Sequence, residues 1–236
     1  MLRFPVVGLD WNPLSRPKPG MEAEFERLLG ELETGVAKPG PGLLSRVFGP
    51  HALTEPQLAA RRERFQEISD APFTTLGAPR VGYDAAADAW LLRHAEETGK
   101  LAEIEALARD MHGYYVLDLL PPCDGFPRYT HDGLYEGLDR YSFRAQFLDD
   151  AADVLGDALI QRAYTRMNAA ALAEYAADLD AVTRAWAARA GVAHMERASE
   201  APDTDEGPEH QADVLFCAVR WCRFWSARGH GLEPWF

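Results

Sequence analysis

The sequence predicts a mainly α fold, a single-domain helical bundle over residues 1–236 with at most a short strand pair. Three observations carry this. From Ser142 onward the chain reads as helix, over about 142–163, 168–190 and 209–228. The last of these is apolar around nearly its whole circumference from Val214 to Trp225, and a helix with no polar stripe belongs in the middle of a bundle. Only one segment, "GYYVLDLL" at Gly113–Leu120, is short, aromatic and β-branched enough to make a good strand.

The elements follow in order. Residues 1–20 are Pro/Gly-rich and irregular, with room for one short strand at Phe4–Leu9. "MEAEFERLLGELE" then places Phe25, Leu28, Leu29 and Leu32 on one helical face. Residues 34–53 form a Gly/Pro-rich linker loop. At "TEPQLAARRERFQEIS", Thr54 caps a helix, Pro56 sits in its first turn and Gln57 completes a capping box. Residues 71–83 break the pattern. Asp84 caps a helix that runs to about Thr98 and is stopped by Gly99, and a second runs from Leu101 to Met111. Near the end, residues 196–208 are acidic and carry Pro and Gly, the composition of a mobile loop.

With 47% hydrophobic and 26% charged residues, the 236-residue chain has ample core material. Its formal charge of −13 argues against a nucleic-acid partner, because phosphate contacts need clustered Lys and Arg. Anionic membrane surfaces are disfavoured on the same grounds, and a carboxylate surplus serves solubility by default. Arg3, Pro5 and Asp10 interrupt the N-terminus where a signal peptide needs an unbroken apolar core. The most apolar run, "VLFCAVRWCRFW", carries Arg220 and Arg223 and falls short of the about 20 apolar residues of a membrane span. Cys123, Cys217 and Cys222 form no disulfide framework, and on one helix Cys217 and Cys222 point apart. A reduced, cytoplasmic protein is expected.

The segment "LLPPCDGFPRYTHDGLYEG", Leu119–Gly137, is the likeliest place for a site. Compact domains rarely hold a structureless loop of about twenty residues unless it works or is disordered, and the aromatics here oppose disorder. Its candidate ligand-binding groups are Cys123, Asp124, Arg128, Tyr129, His131, Asp132 and Tyr135. The opposing reading is an ordered Pro-rich brace. Arg144 joins the set. In a helix starting at Ser142 it falls near the centre of the apolar arc of Phe143, Phe147, Ala151, Val154, Leu155 and Ala158. An inward guanidinium needs a carboxylate or an anionic ligand, and Asp118, Asp124, Asp132 or Asp139 could serve. A place in the first turn would also let Arg144 snorkel to water.

The arc opposite carries Asp149, Asp150, Asp153 and Asp157. "DDAAD" matches the Asp-Asp-x-x-Asp spelling of isoprenoid diphosphate synthases, where carboxylates one turn apart share Mg²⁺ that binds diphosphate. No second acidic motif and no basic pocket accompanies it, so a solvated face is the default reading. His112 and His131 could meet Cys123 as a ligand trio or a Cys–His nucleophile pair, though no spacing requires it. No zincin, Cys-x-x-Cys, EF-hand, Walker, Rossmann or Gly-x-Ser-x-Gly motif is present, so no metal and no cofactor is called for.

Two function classes follow. The first is a non-catalytic binding or interaction protein using the polar loop 119–141, with a protein partner or a small anionic ligand. The alternative is an enzyme on an anionic small molecule with Cys123, Asp124, Arg128, His131 and Arg144 in its site. A weaker alternative is Mg-dependent diphosphate chemistry at Asp149, Asp150 and Asp153. A homo-oligomer is open in each case.

Overall fold

The structure, a computed structural model, describes residues 8–37, 51–121, 141–198, 202 and 206–235. In chain order its elements are β1 (Asp10–Pro13), β2 (Arg16–Pro17), α1 (Glu22–Thr34), β3 (Val36–Ala37), β4 (His51–Ala52), α2 (Glu55–Glu67) and β5 (Ser69–Asp70). There follow α3 (Pro72–Leu76), α4 (Ala85–Glu97), α5 (Ile104–Asp110), α6 (Ala152–Ala163), α7 (Ala169–Ala190), α8 (Pro208–Ser226) and β6 (Leu232–Trp235). Helices dominate. Among the described residues the strands pair in twos and antiparallel, β1 with β6, β2 with β5 and β3 with β4, each pair short. The chain divides into two compact units, Ser15–Ala71 and Met1–Leu14 with Pro72–Phe236.

In the unit Ser15–Ala71, α1 buries Phe25 and Leu28 and half-buries Leu29 and Leu32, and Phe25 stacks on Phe65 of α2 with centroids 4.8 Å apart. Gly35, at φ 64°, ends α1 in the left-handed conformation that glycine adopts without strain. The start of α2 is as the sequence suggests: Pro56 lies in the first turn, and the Gln57 carbonyl accepts from the Thr54 N–H at 2.9 Å. Residues 34–53 are not all loop, since β3 and β4 pair across them, and 38–50 lie outside the described residues.

One buried charge was not foreseen. Glu31 is 1% exposed, held by Arg27 of its own helix at 2.8 Å and by Arg61 of α2 at 2.6 Å. Burial alone would raise its carboxyl, but the hydrogen bonds from Arg61 and Arg27 outweigh it and hold the group below its ordinary 4.5. A carboxyl held below its unfolded value contributes stability that is whole above the ordinary carboxylate range and drains as pH falls through it. The urea midpoint of Glu31→Gln should therefore lie below that of the parent at neutral pH, and the difference should shrink towards about pH 3. A difference that does not change with pH would remove the ion pair from this account.

In the other unit the core lies among α6, α7 and α8. Every residue from Val214 to Val219 is buried, as are Trp221, Cys222 and Trp225, so α8 is the central helix that its composition suggests. Its tryptophans are core. Along α7 the residues Leu172, Tyr175, Leu179 and Thr183 are buried. Asn168 caps α7 by accepting from the Ala171 N–H, and Gly191 at φ 77° ends it. Cys217 and Cys222 are buried and form no disulfide among the described residues, and burial pushes the Cys222 thiol up, which leaves it inert. Among the described residues no helix is long and apolar enough to cross a membrane.

Several expectations are corrected. Among the described residues the first strand is Asp10–Pro13; of the expected strand Phe4–Leu9, residues 4–7 lie outside the described residues, while Gly8 and Leu9 are not strand. Gly113–Leu120 is not a strand. Tyr115 makes one bridge to Arg80, and Leu117–Leu119 then turn as a 3₁₀ helix. The short stretch facing it, Pro79–Val81, offers too little to pair, since it starts at a proline and ends at Gly82 with φ 81°. The pattern break at 71–83 contains α3. Finally, no helix begins at Ser142. Phe143 is bridged to Trp11, a 3₁₀ helix occupies Ala145–Ala151, and Gly156 (φ 73°, ψ 165°) breaks the helical path inside α6. In the acidic stretch 196–208, Glu196 and Arg197 belong to a 3₁₀ helix, and 199–201 and 203–205 lie outside the described residues.

Candidate functional site

The ends of the polar loop are described at Leu119–Pro121 and from Tyr141 onward. Cys123, Asp124, Arg128, Tyr129, His131, Asp132 and Tyr135 lie outside the described residues, as does Asp139, so of the four carboxylates considered for Arg144 only Asp118 is described. Arg144 is described, and its surroundings can be built from β1.

β1 reads Asp-Trp-Asn and the stretch facing it reads Ser-Phe-Arg, the same polar–aromatic–polar spelling. Two backbone hydrogen bonds, Trp11 N–H to Phe143 O at 2.7 Å and Phe143 N–H to Trp11 O at 2.9 Å, pair them antiparallel. Alternation then sends Trp11 and Phe143 to one face and their neighbours to the other. The two rings sit 5.0 Å apart, and Trp11 also meets Tyr175 and Trp221 while its indole N–H donates to Ala163 O at 2.8 Å. On the opposite face the cross-strand neighbours are Asn12 with Ser142 and Asp10 with Arg144. Ser142 Oγ donates to Asn12 Oδ1 at 2.5 Å, and Arg144 Nη1 lies 3.7 Å from Asp10 Oδ1.

Arg144 is thus 8% exposed, as the sequence argument required, but for a different reason. It precedes the 3₁₀ helix as that helix's N-cap and does not sit within a first α-turn, so neither the helical arc nor the snorkelling route applies. Among the described residues the carboxylate beside it is Asp10, from the far end of the sequence. At 3.7 Å the contact is an ion pair and not a hydrogen bond. Asp10, Asn12 and Ser142 were missed because the two paired stretches are about 130 positions apart in sequence. The matching three-residue spelling was the available signal.

Chemically the group is restrained. Ser142 gives its proton to a carboxamide oxygen, which cannot act as a base, so its hydroxyl is not activated for attack. Next to it, burial pushes the Tyr141 phenol up, with the Ser142 hydrogen bond pulling the other way. The Tyr141 carbonyl accepts from the Trp221 indole at 2.7 Å, which ties this end of the loop to α8.

The remaining candidates do not converge on it. Asp149 and Asp150 lie on the 3₁₀ helix Ala145–Ala151, Asp153 in α6 and Asp157 past the Gly156 break, and all four are exposed. Asp149 accepts from the Tyr164 hydroxyl at 3.0 Å. Among the described residues no group of three or more His, Cys, Asp or Glu is placed to hold a metal ion. His112 is exposed and lies against Tyr83, while both residues it was considered with lie outside the described residues. Another histidine, His230, is fully buried: Nδ1 meets Leu14 O at 2.8 Å and Nε2 meets Thr75 Oγ1 at 2.7 Å. A carbonyl only accepts, so Nδ1 carries the proton and the ring staples two chain segments.

Compared with known proteins, the chain matches no family model, no curated protein and no solved structure at a significant level.

Proposed function

We propose that this chain is a non-catalytic binding or interaction protein of the cytosol, with the polar segment 119–141 supplying its recognition groups. The observation supporting this reading is the engagement of Arg144. The enzyme alternative needs that guanidinium open to an anionic substrate, whereas it is buried beside Asp10 in the wall formed by β1 and Phe143. A cation already met by a carboxylate braces the fold and offers little to a ligand. The Ser142 hydroxyl beside it donates to a carboxamide oxygen, which is no base, and this supports the same reading. Location in the cytosol is supported by Cys217 and Cys222 lying buried with no disulfide among the described residues.

Arg144→Met tests it. Removing one partner of a buried pair costs about 3–5 kcal/mol, less where the other partner reaches water, and Asp10 is 24% exposed. The expected loss is therefore about 2 kcal/mol in urea denaturation. In a thermal-shift panel of phosphate, citrate and adenosine triphosphate, no anion should raise the parent's midpoint in a way the variant abolishes. A saturable rise lost in Arg144→Met, with stability spared, would overturn the bracing role of Arg144 and make it the ligand anchor that the enzyme alternative needs.

A further inference from the structure

We propose that Arg80 anchors a binding site for a carboxylate borne on an aromatic or apolar group. Its guanidinium carbon lies 4.4 Å over the Tyr83 ring and 4.9 Å over the Tyr115 ring, so two aromatic faces hold the plane of the fork. Tyr115 is itself fixed, stacked on Phe73 at 5.4 Å and within 3.3 Å of Thr74 Oγ1. Gly113, at φ 84°, clears the way: a Cβ there would stand 3.1 Å from Arg80 Nη2. Gly82 does the same for His112, whose ring a Cβ would meet at 2.4 Å and which lies against Tyr83. The backbone makes room twice for this arrangement.

Arg80 spends one side-chain donor on the fold, Nε to Gly113 O at 3.4 Å. Among the described residues neither Nη group meets an acceptor, and no carboxylate comes within ion-pairing reach. A guanidinium with its plane fixed and its outer edge unspent is pre-organised for a planar, two-oxygen partner. Beside it Tyr83 is 63% exposed, a platform for the apolar part of such a ligand. Charge chooses between anions. Asp84 and Asp88 each accept a backbone N–H within this turn, from Arg80 and Gly82 at 2.7 Å. Two carboxylates so close oppose a multiply charged phosphate and tolerate a single negative charge. The site takes a monoanion.

The carboxylate could belong to a small aromatic acid or to the end of a polypeptide, and the two separate in one experiment. Nitrogen-proton correlation spectra of the arginine Nε–H groups are followed during titration with benzoate, N-acetylphenylalanine and neutral benzamide. Benzoate should shift the Arg80 signal saturably in the millimolar range, benzamide should not, and R80K should abolish the backbone shifts around Gly113. Tyr83→Ala, at an exposed position that the fold does not need, should weaken binding several-fold and serves if R80K folds poorly. Tighter binding of N-acetylphenylalanine than of benzoate identifies a polypeptide end, and the reverse order a small acid. No saturable shift, an equal response to benzamide, or shifts unchanged in both variants would overturn the proposal. Arg80 and Arg144 lie on different segments, so failure here leaves the reading of Arg144 standing.

Discussion

Trp225→Ala should cost about 3–5 kcal/mol in urea denaturation, the range for truncating a large core side chain. Trp225 is fully buried in α8 and packs edge-on against His230 at 5.3 Å and Phe224 at 5.1 Å, with Trp221 at 6.3 Å. Its indole N–H meets no acceptor among the described residues, so the loss is one of packing and not of a hydrogen bond. That distinction has a consequence. Trp225→Phe keeps most of the ring volume and removes a buried, unsatisfied donor, which itself costs about 1–3 kcal/mol. The phenylalanine variant should therefore lie within about 1.5 kcal/mol of the parent, far from alanine. Equal losses in the two variants would mean that the N–H has a partner such as a buried water. An unchanged midpoint in Trp225→Ala would place α8 outside the core.

That α8 is central was legible because burial on every side leaves a compositional mark: a run such as Val214–Val219 has no polar stripe to turn outward. The start of α2 was legible for a similar reason, since Thr54 and Gln57 act on their own neighbours. What failed was pairing at a distance. Asp-Trp-Asn is too short to register as a strand, and its partner lies some 130 residues on, so nothing local announces the bridge. Reading Ser142–Phe147 as helix then followed from helical spacing alone, and it gave Arg144 an inward position by a wrong route. Glu31 failed for the same physical reason. Its burial depends on Arg61, contributed by another helix, and a single-helix pattern places a glutamate outside. Of the candidate site, Arg144 can be traced and has its charge met, while the seven loop residues fall outside the described residues.

The second large effect falls on a residue with no side chain. Gly231 precedes β6, where Leu232 exchanges two backbone hydrogen bonds with Met167, its N–H to Met167 O at 2.8 Å and its carbonyl with the Met167 N–H at 3.0 Å. A Cβ on Gly231 would stand 2.1 Å from Met167 O and 3.0 Å from Asn168 Cα. Those atoms are backbone and cannot swing aside as a side chain would. Met167 is held by the bridge, and Asn168 is the cap of α7, so relief must break the bridge or shift the start of a 22-residue helix. Gly231→Ala should therefore cost about 3 kcal/mol or more, at or past the top of the range for overpacking. Gly229→Ala is the comparison. Its φ is 79°, in the left-handed region, where a side chain costs about 1–2 kcal/mol. Close approach thus outweighs backbone strain two residues away, and the two urea midpoints should fall in that order. Should Gly229→Ala prove the more damaging, the contact of β6 with the start of α7 is looser than these distances require, and the β1–β6 pair would lose its anchor on the helical core.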